Sequence, residues 1–301
     1  MTEAVLTLPI RFGIGERALW TARRRVRRVS YGLADLLDAR ALDPPPLGDA
    51  DGMELRSVPA AAIREGDADT VSLVRQRYPR HFIRFNGGLD AYWGGFSAKT
   101  RSTLKRKRAR WTAAAGGLDV RFYRTPAEID AFAGLAGPLS ARTYQARLLD
   151  AGLPIGPAAL AEMRALAAAD RLRAFILFHH GEPAAYLYLP VENGVVLYAH
   201  LGYAPEHAAL SPGTVLQLAA LERLFAEPGL RLFDFTEGDG AHKRLFGREQ
   251  VACADLLLLR RTWRNRALLA SLRAWDRAVA SLAGAAAARG WAPRLRRLLR
   301  R

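Results

Sequence analysis

Residues 174–202 read AFILFHHGEPAAYLYLPVENGVVLYAHLG, and this stretch decides the fold. Ala174 to Phe178, Ala184 to Pro190 and Val195 to Gly202 are short apolar runs rich in aromatic and β-branched residues, the composition of strands. Between them stand His179-His180-Gly181-Glu182-Pro183 and Glu192-Asn193-Gly194, in which glycine supplies the positive φ that tight hairpin turns require. Three strands joined so tightly predict an antiparallel meander. His179-His180 reads as the strand-to-turn transition rather than as a ligand pair.

Outward from the meander the periodicity turns helical. On its N-terminal side, Ser97 to Trp111 reads as a helix capped by Ser97, and Leu118 to Tyr123 as a strand. Thr125-Pro126-Ala127-Glu128 has capping-box spacing with proline at the first helical position, opening a helix to about Leu135. Ser140 to Asp150 and Pro157 to Ala169 read as two more helices. On the C-terminal side follow a helix from Pro212 to Ala226, a strand from Leu230 to Phe235, a short helix near Lys243 to Phe246 and a strand from Ala254 to Leu259. Residues 54–95 read as short strands and a helix, with His81 to Phe85 a strand. The order is α+β, a largely antiparallel sheet flanked by helices, without the βαβ alternation of a doubly wound nucleotide-binding domain.

The chain has 301 residues, half of them hydrophobic, enough for one large or two modest cores. Its single cysteine, Cys253, excludes a disulfide framework and a cysteine-based zinc cluster, and the histidines lack metal-ligand spacing, so no metal is expected. The N-terminus lacks the order of a secretory signal, and no apolar run approaches the roughly 18 residues of a membrane span, so a cytoplasmic protein is expected.

Charge is concentrated. The net charge is +16, but residues 11–28 carry +6, residues 99–110 carry seven Lys or Arg and no acid, and residues 260–301 carry +11, which leaves the remainder at −8. Basic segments on an acidic body predict an anionic partner met at particular places: a phosphorylated cofactor, a lipid surface or nucleic acid. In the last block Trp263, Ala267, Leu268, Leu272, Trp275, Val279 and Leu282 recur at helical spacing with arginines between them. Such a basic amphipathic helix either packs on its own domain or docks on an anionic membrane. Three regions are expected: a basic helical segment with a proline-rich linker at 1–52, a domain at 53–260, and the basic helical segment at 261–301.

Two segments can carry chemistry. Tyr198-Ala199-His200-Leu201-Gly202-Tyr203 leads to Ser211-Pro212-Gly213-Thr214-Val215-Leu216 at the head of a helix. Ser211 suits an N-cap, Pro212 the first helical position, and Gly213 leaves room for a ligand, so free N–H groups and the positive dipole end form an anion site. Residues 233–246, FDFTEGDGAHKRLF, place Asp234, Glu237, Asp239, His242 and Lys243 after a strand end. Loops at strand ends are common places for a site.

Taken with the basic helix 97–111, these segments resemble the GNAT superfamily, and within it the CelD-type acetyltransferases linked to cellulose and exopolysaccharide synthesis, themselves related to the Fem peptidyltransferases. The similarity covers roughly residues 80–260. It implies an acyl-CoA donor whose pyrophosphate sits on Ser211, Pro212, Gly213, Thr214 and Val215, with Lys243 near it. The usual Arg/Gln-x-x-Gly-x-Gly/Ala turn is absent, and His242 stands where the CelD-type pattern has tyrosine. With acyl-CoA as donor, an acceptor amine attacks the thioester, which requires a base and benefits from an acid at the leaving sulfur. His200 is the first candidate base and Glu237 or Asp239 the second, with Tyr198 or Tyr203 as the acid. Tyr144, Gln145, Asp234 and His242 are the candidate acceptor-side residues.

The expected function is N-acyl transfer to a membrane-associated amine, either an amino sugar of an exopolysaccharide intermediate or a long-chain sphingoid-type base. An aminoacyl-tRNA-dependent transferase of the Fem type and a non-enzymatic nucleic-acid-binding module are the competing readings. The basic block 99–110 lacks the interleaved aromatics that nucleic-acid stacking uses, which counts against the last.

Overall fold

In the computed structural model, residues 2–14, 17–38, 44–63, 66–143 and 152–288 are described. The chain forms two units, Met1–Tyr78 with Val251–Arg301, and Pro79–Gln250. The first unit opens with β1 (Thr2–Ile14) and β2 (Arg17–Ser30), followed by α1 (Leu33–Leu37) and β3 (Gly52–Pro59). The expected N-terminal helix is therefore corrected to an antiparallel hairpin. The reason is a period of two: Leu6, Leu8, Ile10 and Phe12 alternate with Thr7, Pro9 and Arg11, and pair across to Val26, Arg24, Ala22 and Trp20. The arginine run 23–28 obscured that alternation.

β4 (Thr70–Arg84) passes from the first unit into the second at residue 79. The second unit continues through α2 (Gly88–Gly94), α3 (Ala98–Ala115), β5 (Asp119–Tyr123), α4 (Pro126–Ala141), α5 (Pro157–Ala168), β6 (Leu172–His179), β7 (Glu182–Glu192), β8 (Val195–Leu197), β9 (His200–Tyr203), α6 (Pro212–Phe225), β10 (Leu232–Asp234) and α7 (Ala241–Phe246). Its strand order is β4-β10-β8-β7-β6-β5, with β9 also beside β7. β8 and β10 are parallel, and the other pairs are antiparallel. The meander turns are those expected: His180-Gly181 has φ of 49° and 82°, and Asn193-Gly194 has 49° and 76°, both central residues left-handed as a two-residue hairpin requires.

Ser97 caps α3 by accepting the Thr100 N–H at 3.1 Å. α4 has the expected capping box of Thr125 and Glu128 but runs on past Leu135 to Ala141, with Pro138 inside it. The strands of the meander are apolar throughout because both faces are covered. Phe175, Leu177, Leu187 and Leu189 join Leu104, Trp111, Leu216 and Leu221 of α3 and α6. Ala174, Ile176, Phe178, Tyr186 and Tyr188 face Ile129, Phe132 and Met163 of α4 and α5.

β11 (Glu249–Arg260) returns to the first unit, where it pairs with β3, and α8 (Trp263–Ala288) follows. Leu268, Leu269 and Leu272 of α8 are buried in one core with Ile10, Phe12, Ala22 and Val26, and Trp275 packs against it. This half of the basic helix thus packs on the hairpin. A second core in the unit gathers Val29, Met53, Leu55, Tyr78 and Leu256 around the buried Asp255, which accepts the Ser57 N–H at 2.9 Å and the Tyr78 hydroxyl at 2.9 Å. Among the described residues, no helix is long and apolar enough to cross a membrane.

Candidate active site

The candidate site lies where two parallel strands part. β8 and β10 pair from Val195 with Leu232 to Leu197 with Asp234, and a bond from the Tyr198 N–H to the Asp234 carbonyl, at 2.9 Å, closes the ladder. Beyond it the chain pairs only with β7. Val196 lies opposite Val191 and His200 opposite Tyr188, so β7 advances by three residues while the other strand advances by four. The extra residue is a β-bulge at 197–199, and it reverses which face each later side chain takes. Tyr198 packs on the α6 side, its ring 6.2 Å from Phe233, 5.5 Å from Phe235 and 5.4 Å from His242. His200 lies against Tyr188 at 5.9 Å, on the α4 and α5 side. Plain alternation put these two residues together; the bulge separates them.

The exit from β10 is braced by β4. Asp234 is fully buried and receives Arg80 in a bidentate pair, Nε at 3.1 Å and Nη2 at 2.6 Å. It also accepts the Thr236 N–H at 2.8 Å, which holds Thr236 in the left-handed region at φ 60°. The expected acceptor-side role of Asp234 is thus replaced by a buried ion pair. His81, also buried, bonds Asp239 through Nε2 at 3.0 Å, and Arg244 donates to the other oxygen of the same carboxylate at 2.6 Å. These partners, His81 first, hold the Asp239 carboxyl below its ordinary range. Lys243 donates to the Glu237 carbonyl and so ties the loop to α7, while burial lowers its ammonium. Gly247 closes the brace, since a Cβ there would lie 2.6 Å from that of His81.

Two groups remain near the parted strands with proton-transfer capacity. Burial raises the Tyr198 phenol, which therefore keeps its proton. His242, ringed by Tyr198, Phe235 and Phe246, is pushed down to about 4, by burial first and then by Lys243 and Lys107, and is neutral near pH 7. Its Nε2 is enclosed and has no hydrogen-bond partner among the described residues.

The head of α6 differs from the simple anion turn expected. Ser211 occupies the N-cap position in a left-handed conformation, φ 58°, and its side chain makes no capping bond. Its carbonyl accepts the Thr214 and Val215 N–H groups at 3.0 and 3.2 Å, and Pro212 has no N–H. Gly213 leaves space that β9 uses, because a Cβ there would sit 3.0 Å from Leu201, and Val215 is buried in the core. What the turn does present is Thr214, whose Oγ1 lies 3.5 Å from Lys107 Nζ of α3. α3 is fixed there by the Arg108 to Glu222 ion pair at 2.5 Å and by Trp111, wholly buried edge-on to His179 and His207.

Residues 98–244 match the family model described as an acetyltransferase (GNAT) domain. The chain therefore carries a GNAT acyltransferase domain. A search of curated protein sequences returned no match. Among solved structures, the domain assigned to the C-terminal part of a lysylphosphatidylglycerol synthetase from Agrobacterium fabrum is 11% identical, with 84% of each chain covered and a TM-score of 0.51. L-PGS from Bacillus licheniformis is 13% identical over 74% of this chain and 72% of its own, with a TM-score of 0.46. FemX is 12% identical over 84% and 88%, with a TM-score of 0.47. At 11% identity the likeness to the first of these is one of fold.

Within the GNAT domain, Tyr198, Asp234, Glu237, Asp239, His242 and Lys243 gather at the ends of β8 and β10, and Ser211 to Thr214 head α6. His200 faces away, and Tyr144 and Gln145 lie outside the described residues. Sequence reasoning passed over three residues: Arg80 and His81, which brace the loop, and Lys107, which reaches Thr214. A signal for the first two was present, because a strand ending His81-Phe82-Ile83 buries polar residues only when they have partners. Lys107 had none to distinguish it from six other cations in residues 99–110.

Proposed function

We propose that the GNAT domain transfers an acyl group from a CoA thioester to the amine of a membrane-associated acceptor. The observation that supports this reading is the parting of β8 and β10 at Tyr198 and Asp234, beyond which the two strands no longer pair with each other, with Tyr198 and His242 side by side there. Thr214, Lys107 and the dipole of α6 offer the charge a pyrophosphate needs. The thioester carbonyl then lies by the bulge, whose extra residue is outside the β7 ladder.

Attack by the neutral amine gives a tetrahedral intermediate with a positively charged nitrogen. That nitrogen is far more acidic than a free ammonium, so a weak neutral imidazole such as His242 can accept its proton. As the carbon–sulfur bond breaks, Tyr198 donates its proton to the thiolate. This assigns the base to His242 in place of His200, which the bulge turns away. Glu237 is the second candidate, since Asp239 is committed to His81 and Arg244.

The acceptor is an amino sugar of an exopolysaccharide intermediate or a long-chain base, consistent with the concentration of arginine in residues 260–301. A second reading, an aminoacyl-tRNA donor, draws on the exposed Lys99, Lys105, Arg106 and Arg110 of α3. The two separate in one experiment. The protein is heated with acyl-CoAs of graded chain length or with charged tRNA, and free CoA or deacylated tRNA is measured with amine acceptors present. Stabilisation and CoA release support the first reading; stabilisation by charged tRNA alone replaces it with the second.

A further inference from the structure

The β1/β2 hairpin runs well past the sheet to which it belongs. β2 pairs with β3 only from Val26 to Ser30. Residues 17–24 and their β1 partners therefore overhang by on the order of 25 Å, at about 3.3 Å per residue. One face of the overhang is covered by α8 as far as Trp275, whose Nε1–H donates to the Gly13 carbonyl at 3.0 Å. That contact lies at the tip, where Gly13 pairs with Ala18, and it leaves two neighbouring apolar side chains uncovered. Leu19 is 64% exposed and Trp20 57% exposed, and among the exposed large apolar side chains described, only these two adjoin in sequence. Trp20 is held at 4.9 Å from Phe12, so its ring is presented on a fixed strand rather than on a loose loop.

The opposite face of the hairpin is basic. Arg11 stands opposite Thr21, Arg23 opposite Pro9, Arg25 opposite Thr7 and Arg27 opposite Val5. Arg25 is bonded to Asp49, and Arg27 has a partner of its own. Arg11 and Arg23, nearest the tip, are exposed and form no ion pair among the described residues. Residues 11–28 carry seven arginines against a single acid, Glu16.

We propose that the hairpin tip, led by Leu19 and Trp20 and flanked by Arg11 and Arg23, docks this protein on the surface of an anionic bilayer. A tryptophan and a leucine at a tip suit the headgroup boundary, where the indole stays partly wet and the leucine finds hydrocarbon. Each arginine near an anionic leaflet is worth about fivefold in affinity. A nucleic acid would use the arginines but has no use for Leu19. A second copy would set one arginine face against another. The proposal rests on the membrane-associated acceptor of the proposed function, yet vesicle binding is read without donor or turnover, so the two fail separately.

The test is co-sedimentation of the full chain with phosphatidylcholine vesicles, with and without phosphatidylglycerol. Binding is expected only with the anionic lipid and weakens with salt. L19S/W20S should lower it by roughly tenfold or more, and R11Q/R23Q, on an exposed face where folding is not at stake, by about 25-fold at low salt. Brominated lipid should quench the wild-type fluorescence more than that of W20F. Vesicle binding unchanged in both double variants overturns the proposal. So does a response to these variants only in binding of an RNA oligonucleotide or in dimerisation.

Discussion

At the scale of single residues, the site turns on which groups keep their protons. Burial holds Tyr198 protonated and His242 neutral, the states that the proposed acid and base require. Tyr198→Phe is expected to lower CoA release by roughly 100-fold while leaving acyl-CoA affinity unchanged, as steady-state kinetics and thermal-shift titration would show. His242→Phe should lose turnover to a similar degree, whereas His200→Ala should keep most of it; the reverse pattern would restore the base to His200. Asp234 belongs to stability. Asp234→Ala leaves Arg80 buried without its carboxylate, and urea denaturation should show a loss of about 3–5 kcal/mol. These roles were only partly legible beforehand: Asp234, His242 and Tyr198 were candidates by type, but a buried partner such as Arg80 is 154 residues away from Asp234 and no local pattern links them.

At the scale of elements, the meander, its two turns and the caps of α3 and α4 were legible because each depends on residues within a few positions of one another. The hairpin of residues 2–30 was not recognised, although its alternation was present, because a dense arginine run suggested a helix face. The bulge at 197–199 was not legible at all. Val195 to Gly202 reads as one continuous strand, and only the partner β7 reveals that one residue is extra. Removing Ala199 should therefore delete the bulge, so that Val196 to His200 pair one for one with Val191 to Tyr188 and the local kink is lost. Far-UV circular dichroism is expected to stay close to wild type while acyl transfer disappears; retained transfer would show that the parted geometry is not needed.

At the scale of the whole molecule, acid should act in two stages. The His242 imidazole sits at about 4 in the folded chain, against roughly 6.5 when unfolded. Between these values the unfolded chain binds the additional proton, so stability falls as pH drops through that window, by on the order of 3 kcal/mol in total. Equilibrium unfolding from pH 7 to 4 should show this slope in the wild type and a flatter one in His242→Phe. Further acid then reaches carboxylates held down by their partners. Asp239, lowered by His81 and Arg244, and Asp170, lowered chiefly by Arg124, support the fold above the ordinary carboxylate range and lose that contribution as they are protonated.

The α+β class, the antiparallel meander and the basic segments were determined by the sequence alone, because strand runs, turn glycines, caps and charge are local properties of a chain. Tertiary structure decided the rest. It turned Tyr198 toward His242 and His200 away, enclosed Asp234 with Arg80, brought Lys107 to Thr214, and folded the arginine-rich N-terminus into a hairpin. Each of these follows from pairing between distant segments, where one extra residue in one strand, or one buried partner on another, changes the direction and protonation of a side chain without leaving a mark in its own neighbourhood.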